Sequence, residues 1–135
     1  MNKTNKSENF LEVTKIKLSA LWIVLMLTYL LGDVMRIFSG DFVVGEMAGA
    51  QTSQELYLGM AVLFVIPIIM IFMTLTLNYK TNRRANLIFP ILFFVINLIG
   101  LPGYQSYYDQ FLIVVGLVFN LMTIWYAWKW SKQEE

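Results

Sequence analysis

The chain has 135 residues, 58% hydrophobic and 14% charged, with a mean hydropathy of +0.61 and a formal net charge of +1. Soluble domains carry about 25% charged residues, so this composition marks an integral membrane protein, and the near-zero net charge gives no electrostatic basis for a nucleic-acid partner. With no Cys and no His, the chain is excluded from thiol–disulfide chemistry, His or Cys haem ligation, a His/Cys zinc site and a Ser-His-Asp triad.

A hydrocarbon core of about 30 Å requires about 20 apolar helical residues, and four stretches meet that need, at about 18–38, 56–77, 86–103 and 110–129. Residues 1–17 are polar and mixed in charge. The run that follows is too long for a signal core and no small-residue cleavage site succeeds it, so it reads as a retained span. On a helix, residues at i, i+4 and i+7 share a face. The first span places Tyr29, Asp33, Arg36 and Gly40 on one stripe, with Trp22 on the same stripe toward its start. The link from Ser39 to Gln54 carries Gly40, Gly45 and Gly49 beside Phe42, Val43, Val44 and Met47. Part of it is expected to lie on the membrane or to cap the bundle.

The second span puts Glu55, Gly59, Val62, Ile66, Ile69 and Met73 on one seam, apolar below its outer end, with Pro67 expected to kink it. Residues 78–86 read as a tight basic loop. The third span aligns Asn86, Pro90, Asn97 and Tyr104, and Pro102-Gly103 begins a short turn. The fourth aligns Asp109, Gly116, Asn120, Thr123 and Ala127. Small residues on such a face permit close helix approach, and Asn or Thr can hydrogen-bond across it.

Charge sets the direction. Lys3, Lys6, Lys15, Lys17, Lys80, Arg83, Arg84, Lys129 and Lys132 all fall on one side of this pattern, and only Arg36 falls on the other, among Asp33, Asp41, Glu46, Glu55 and Asp109. Basic residues flanking spans are retained in the cytoplasm. The expected fold is therefore all-α: an antiparallel four-helix transmembrane bundle forming one integral membrane domain, with both termini cytoplasmic. Tyr57, Tyr104, Tyr107 and Tyr108 would mark the outer interface, and Trp22, Trp125, Tyr126, Trp128 and Trp130 the inner one.

Polar residues inside hydrocarbon mark helix seams or function. Asp33 and Arg36 are three apart and can pair, and Tyr29 lies one turn from Asp33. They read either as a ligand or cation site in the outer half or as an ion pair that fixes helix depth. Asn97 and Asn120 can meet across a seam, as structural contacts or as the lining of a polar pocket. Asp33, Arg36, Tyr29, Asn97 and Asn120 are the candidate ligand-binding residues. The inner half is expected to be tight and apolar. The outer acids are too scattered for a metal site, no mid-membrane carboxylate supports a proton relay, and no catalytic motif, cofactor fingerprint or recognised acid–base set is present. The reading is accordingly non-enzymatic, with no cofactor and no metal.

The segment from Asn78 to Ile88 (Asn-Tyr-Lys-Thr-Asn-Arg-Arg-Ala-Asn-Leu-Ile), the ending Trp125-Tyr126-Ala127-Trp128-Lys129-Trp130, Leu21-Trp22 and the Ile66-Pro67 step together resemble a domain-of-unknown-function family of small bacterial four-helix membrane proteins. More loosely, the chain is similar to DoxX-like four-helix proteins. Val65 stands where relatives often carry an acidic residue before Ile-Pro, which separates this chain from any second-helix carboxylate chemistry. The resemblance implies four-span topology and a bacterial plasma membrane, and no activity. Three functional expectations stand: an outward-facing pocket for a small apolar or amphipathic ligand or a lipid, a role as an accessory or assembly subunit of another membrane protein, or a role as a small oligomeric transporter. Its partners would be the lipid bilayer, such a ligand, and a membrane protein or further copies of itself.

Overall fold

The computed structural model describes residues 3–47 and 49–130. Its elements are helix α1 (Lys3–Ser39), a small antiparallel hairpin of β1 (Glu46–Met47) and β2 (Ala50–Gln51), α2 (Gln54–Thr76), α3 (Tyr79–Gly100), a single 3-10 turn (Leu101–Gly103) and α4 (Tyr107–Lys129). All four helices are long and apolar enough to cross a membrane. The chain is an all-α multi-pass membrane protein with the four expected spans.

The helices form an antiparallel bundle in which α1 lies along α2 and α4, and α3 lies along α4. Contact between α2 and α3 is sparse, and it includes Asn82 and Asn86 reaching Thr74 beside the connection that joins the two helices. One end of the bundle gathers the start of α1, the α2–α3 connection and the end of α4. There Leu18, Ala127 and Trp130 are buried against Phe10, Leu11, Tyr79 and Leu87, and Arg83 Nε donates to the Ala127 carbonyl at 3.1 Å. This is the basic end, and the opposite one is the acidic end. Lys132, counted above with the basic side, lies outside the described residues.

Three sequence expectations change. The polar start of the chain is not separate from the first span, because α1 begins at Lys3 and runs 37 residues, about 55 Å at 1.5 Å per residue. Phe10 and Leu11 explain the extension, since they pack on the Leu18–Ala127–Trp130 cluster. The basic loop is shorter than 78–86. Asn78 accepts a hydrogen bond from the Thr81 amide at 3.2 Å and caps α3, so Lys80, Arg83 and Arg84 are helical and only Leu77 and Asn78 connect the two helices. Finally, α2 buries Pro67, Met70 and Thr74 instead of the predicted seam, of which Val62 and Ile69 are exposed. Being apolar on every side, α2 gives its packing face no sequence contrast.

The basic half of the bundle is tight but not apolar. Trp22 is buried in the core with Leu25, Met70 and Phe93, and its indole donates to Asn86 Oδ1 at 2.7 Å. Asn86 Nδ2 in turn donates to Asn82 Oδ1 at 2.8 Å and to Thr74 Oγ1 at 3.3 Å. Asn82 Nδ2 donates to the Thr74 carbonyl, and the Ser19 hydroxyl to the Ile71 carbonyl. Hydrogen bonds of this kind contribute on the order of 0.6 kcal/mol each in membrane proteins. The Trp22, Asn82, Asn86 and Ser19 donors each have a partner, which favours a single packing, although the buried Trp130 indole at the same end has none among the described residues.

At the acidic end Gly40 (φ 80°) lets the chain leave α1 in a left-handed conformation closed to most residues. The exit brings Asp41 to Ser106 and Tyr108 at the start of α4.

Candidate functional site

Arg36 is the hub of the acidic end. Its Nη1 donates to Asp33 Oδ1 at 2.9 Å, three residues back on α1. Its Nε donates to Asp109 Oδ1, also at 2.9 Å, across the bundle on α4. The guanidinium stands 4.8 Å from the centre of the Tyr104 ring, in cation–π range. One cation thus faces two carboxylates in different environments. The Asp109 side chain is only 6% exposed, whereas that of Asp33 is 66% exposed. Asp109 is the structural partner, held where its charge must be compensated. Asp33 keeps one oxygen side open to the exterior.

Tyr29 lies one helical turn deeper. Its hydroxyl does not turn to Asp33 as the sequence spacing allows. It accepts from Asn97 Nδ2 at 2.7 Å, and the same amide also donates to the Phe93 carbonyl. The Asn120 side chain is fully buried near that hydroxyl, and its own amide atoms lack a hydrogen bond of good geometry. Asn97 and Asn120 therefore converge through Tyr29 instead of touching each other. Gly116 gives this ring its room: a Cβ there would sit 3.3 Å from Tyr29 Cε1, and the ring would have to move by a few tenths of an ångström to admit it.

Two cavities flank this group. One, of about 80 Å³, is the more polar and is lined by Tyr29, Asp33, Arg36, Asn97, Tyr104 and Asp109 together with the apolar Phe64, Leu112 and Ile113. The other, of about 230 Å³, lies between α1 and α2 and is lined mainly by Met26, Leu30, Met60, Ala61 and Tyr57. They share Tyr29, Asp33 and Phe64, and the Tyr29 and Phe64 rings meet edge to face at 6.0 Å as the partition. Tyr29, Asp33, Arg36 and Asn97 thus line a common space. Asn120 does not reach it and acts only as a backing for Tyr29.

Sequence reasoning passed over Asp109 as a site residue, though it placed Asp109 on the buried face of α4. The signal available was that this acid and the lone outer arginine fall at the same end of neighbouring helices. It also passed over the Asp41 cluster. Asp41 follows Gly40 directly and accepts from the hydroxyls of Tyr108, Ser106 and Ser39. Those bonds, that of Tyr108 first, hold its carboxyl below its usual value of 3.8 and tie the end of α1 to the start of α4.

Compared with known proteins, residues 6–135 match the model of a family described as a family of unknown function (DUF6326). No curated protein and no solved structure matches the chain.

Proposed function

The chain belongs to DUF6326, a family of unknown function, and from that premise and the acidic-end geometry we propose that it is a non-enzymatic binding protein of the bacterial plasma membrane. In this reading both termini are cytoplasmic and the acidic end faces outward. The ligand is a small amphipathic molecule or lipid. Its apolar part occupies the α1–α2 cavity beside Met26, Leu30 and Met60, and its polar end passes the Tyr29–Phe64 partition to reach Asp33 and Arg36.

The observation that carries this reading is the pairing of the cavities: one more polar, one more apolar, with Asp33 on the wall of both. Pockets for small ligands combine apolar lining with a few placed polar groups. Binding is favoured over catalysis because Arg36 holds both carboxylates in ion pairs, leaving neither paired with a nucleophile to activate. The excess of one negative charge at the site favours a hydroxyl, amide or ammonium over a carboxylate at the ligand's polar end.

Gently purified protein analysed by native mass spectrometry should carry a retained lipid or metabolite. The Asp33→Asn and Ala61→Phe variants, changing one wall of each cavity, should lose it while keeping their helix content. Clean spectra together with no thermal shift across a lipid and metabolite screen would sink the proposal.

A further inference from the structure

A second concavity lies at the basic end, remote from the acidic-end site. The early turns of α1 extend beyond the predicted span and lie beside the last turns of α4, leaving a groove of about 550 Å³ between the two helices. Phe10 and Val13 of α1 and Trp125 and Tyr126 of α4 supply apolar wall, and Lys17 and Lys129 bring charge to it. Each ammonium rests over an aromatic face: Lys129 Nζ is 4.0 Å from the centre of Trp125, and Lys17 Nζ is 5.6 Å from that of Tyr126. Lys15 is paired with Glu12, but among the described residues neither Lys17 nor Lys129 has a carboxylate in ion-pair range.

We propose that this groove is a binding site for an anionic glycerophospholipid from the adjoining leaflet, with its phosphate between Lys17 and Lys129 and its glycerol and upper acyl chains along Phe10, Val13 and Trp125. Three features select that occupant. Tryptophan and tyrosine rings favour the headgroup depth, where one edge is wet and the other apolar. A lysine is a compact point charge suited to phosphate, and basic pockets between transmembrane helices hold anionic headgroups. An inorganic anion would satisfy the two ammoniums but leave the exposed Val13 and Trp125 uncovered, whereas a lipid covers both.

The groove carries its own reporters. Tryptophan fluorescence is to be followed in micelles doped with brominated phosphatidylglycerol or with brominated phosphatidylcholine of the same chains. Phosphatidylglycerol should quench at a several-fold lower mole fraction. Lys17→Gln with Lys129→Gln should abolish that several-fold preference, and either change alone should reduce it. Lys3→Gln with Lys6→Gln removes the same charge elsewhere on α1 and should retain it. These changes fall on solvent-facing side chains, and circular dichroism checks that helix content is kept. Equal quenching by the two lipids in the unaltered protein overturns the proposal. So does an equal loss in the Lys3/Lys6 variant, which would reduce the effect to net charge. Displacement of the lipid by millimolar inorganic phosphate would overturn the choice of a lipid over a free anion.

Discussion

Arg36 breaks the one-sided distribution of basic residues, and its two carboxylate partners give that exception opposite consequences. Asp109→Asn leaves the guanidinium half-buried and without its enclosed counter-charge, so it should destabilise the bundle by about 3 kcal/mol, read from unfolding in detergent. Asp33→Asn touches a mostly exposed pair and should cost less than about 1 kcal/mol, while removing bound ligand. If the two variants were equally unstable, the division between a structural and a ligand-facing acid would fail. The sequence showed Asp33 readily because it shares a helix with Arg36. Asp109 was harder to see as a partner because it lies 73 positions away in the chain, and only the packing of α1 on α4 brings it near. Asp41 adds a pH dependence of known sign. Its carboxyl titrates below 3.8 in the folded protein, so its contribution is complete above that value and is lost as pH falls through the lower, folded one. Hydrogen exchange at the start of α4 should therefore accelerate on acidification below about pH 4, and Asp41→Asn should flatten that acid response.

Among the elements, α4 and α2 mark the limits of what a helical period can reveal. The face of α4 was legible: Asp109, Gly116, Asn120, Thr123 and Ala127 recur at helical spacing against an otherwise apolar background, and all five are buried. On α3, Asn86 and Pro90 are buried as the same pattern implied. The packing face of α2 was not legible, because a lipid-exposed helix can be apolar all round and hydropathy then carries no direction. The helical start of α1 was hidden for a different reason. Its residues look like a solvated tail, and two large side chains, Phe10 and Leu11, reach the cluster that Leu18 forms with Ala127 and Trp130. The α1–α4 contact also yields the clearest element-level test. Gly116→Ala introduces a methyl group 3.3 Å from Tyr29 Cε1, in a seam whose other side is fixed by the Asn97 hydrogen bond. The change should cost about 1–2 kcal/mol through overpacking and displace the Tyr29 ring. Gly59→Ala, where an added Cβ has nothing within 4 Å, should be tolerated, and thermal melts of the pair decide whether close approach or helix propensity governs the effect.

For the whole molecule, the two ends of the bundle differ in charge and in what they tie together. The acidic end links α1, the Gly40–Asp41 exit and α4 through side chains, whereas the basic end joins the start of α1, the α2–α3 connection and the end of α4. The start of α1 and the end of α4 lie together, and the proposed orientation, in which basic flanks stay in the cytoplasm, puts that end inside. Because the chain has no cysteine, single cysteines report on this without background. Val44→Cys, at an 86% exposed position beyond α1, should react with a membrane-impermeant maleimide in intact cells. Ser7→Cys, on the exposed start of α1, should react only after permeabilisation. Arg36 is the one basic residue acting against this orientation, and its charge is already compensated by Asp33 and Asp109. Substituting Arg36→Gln should therefore leave the labelling pattern unchanged, even as it loosens the acidic end. A reversal of the pattern in the unaltered background would instead put the two-carboxylate site on the cytoplasmic face, and its ligand would have to be sought inside the cell.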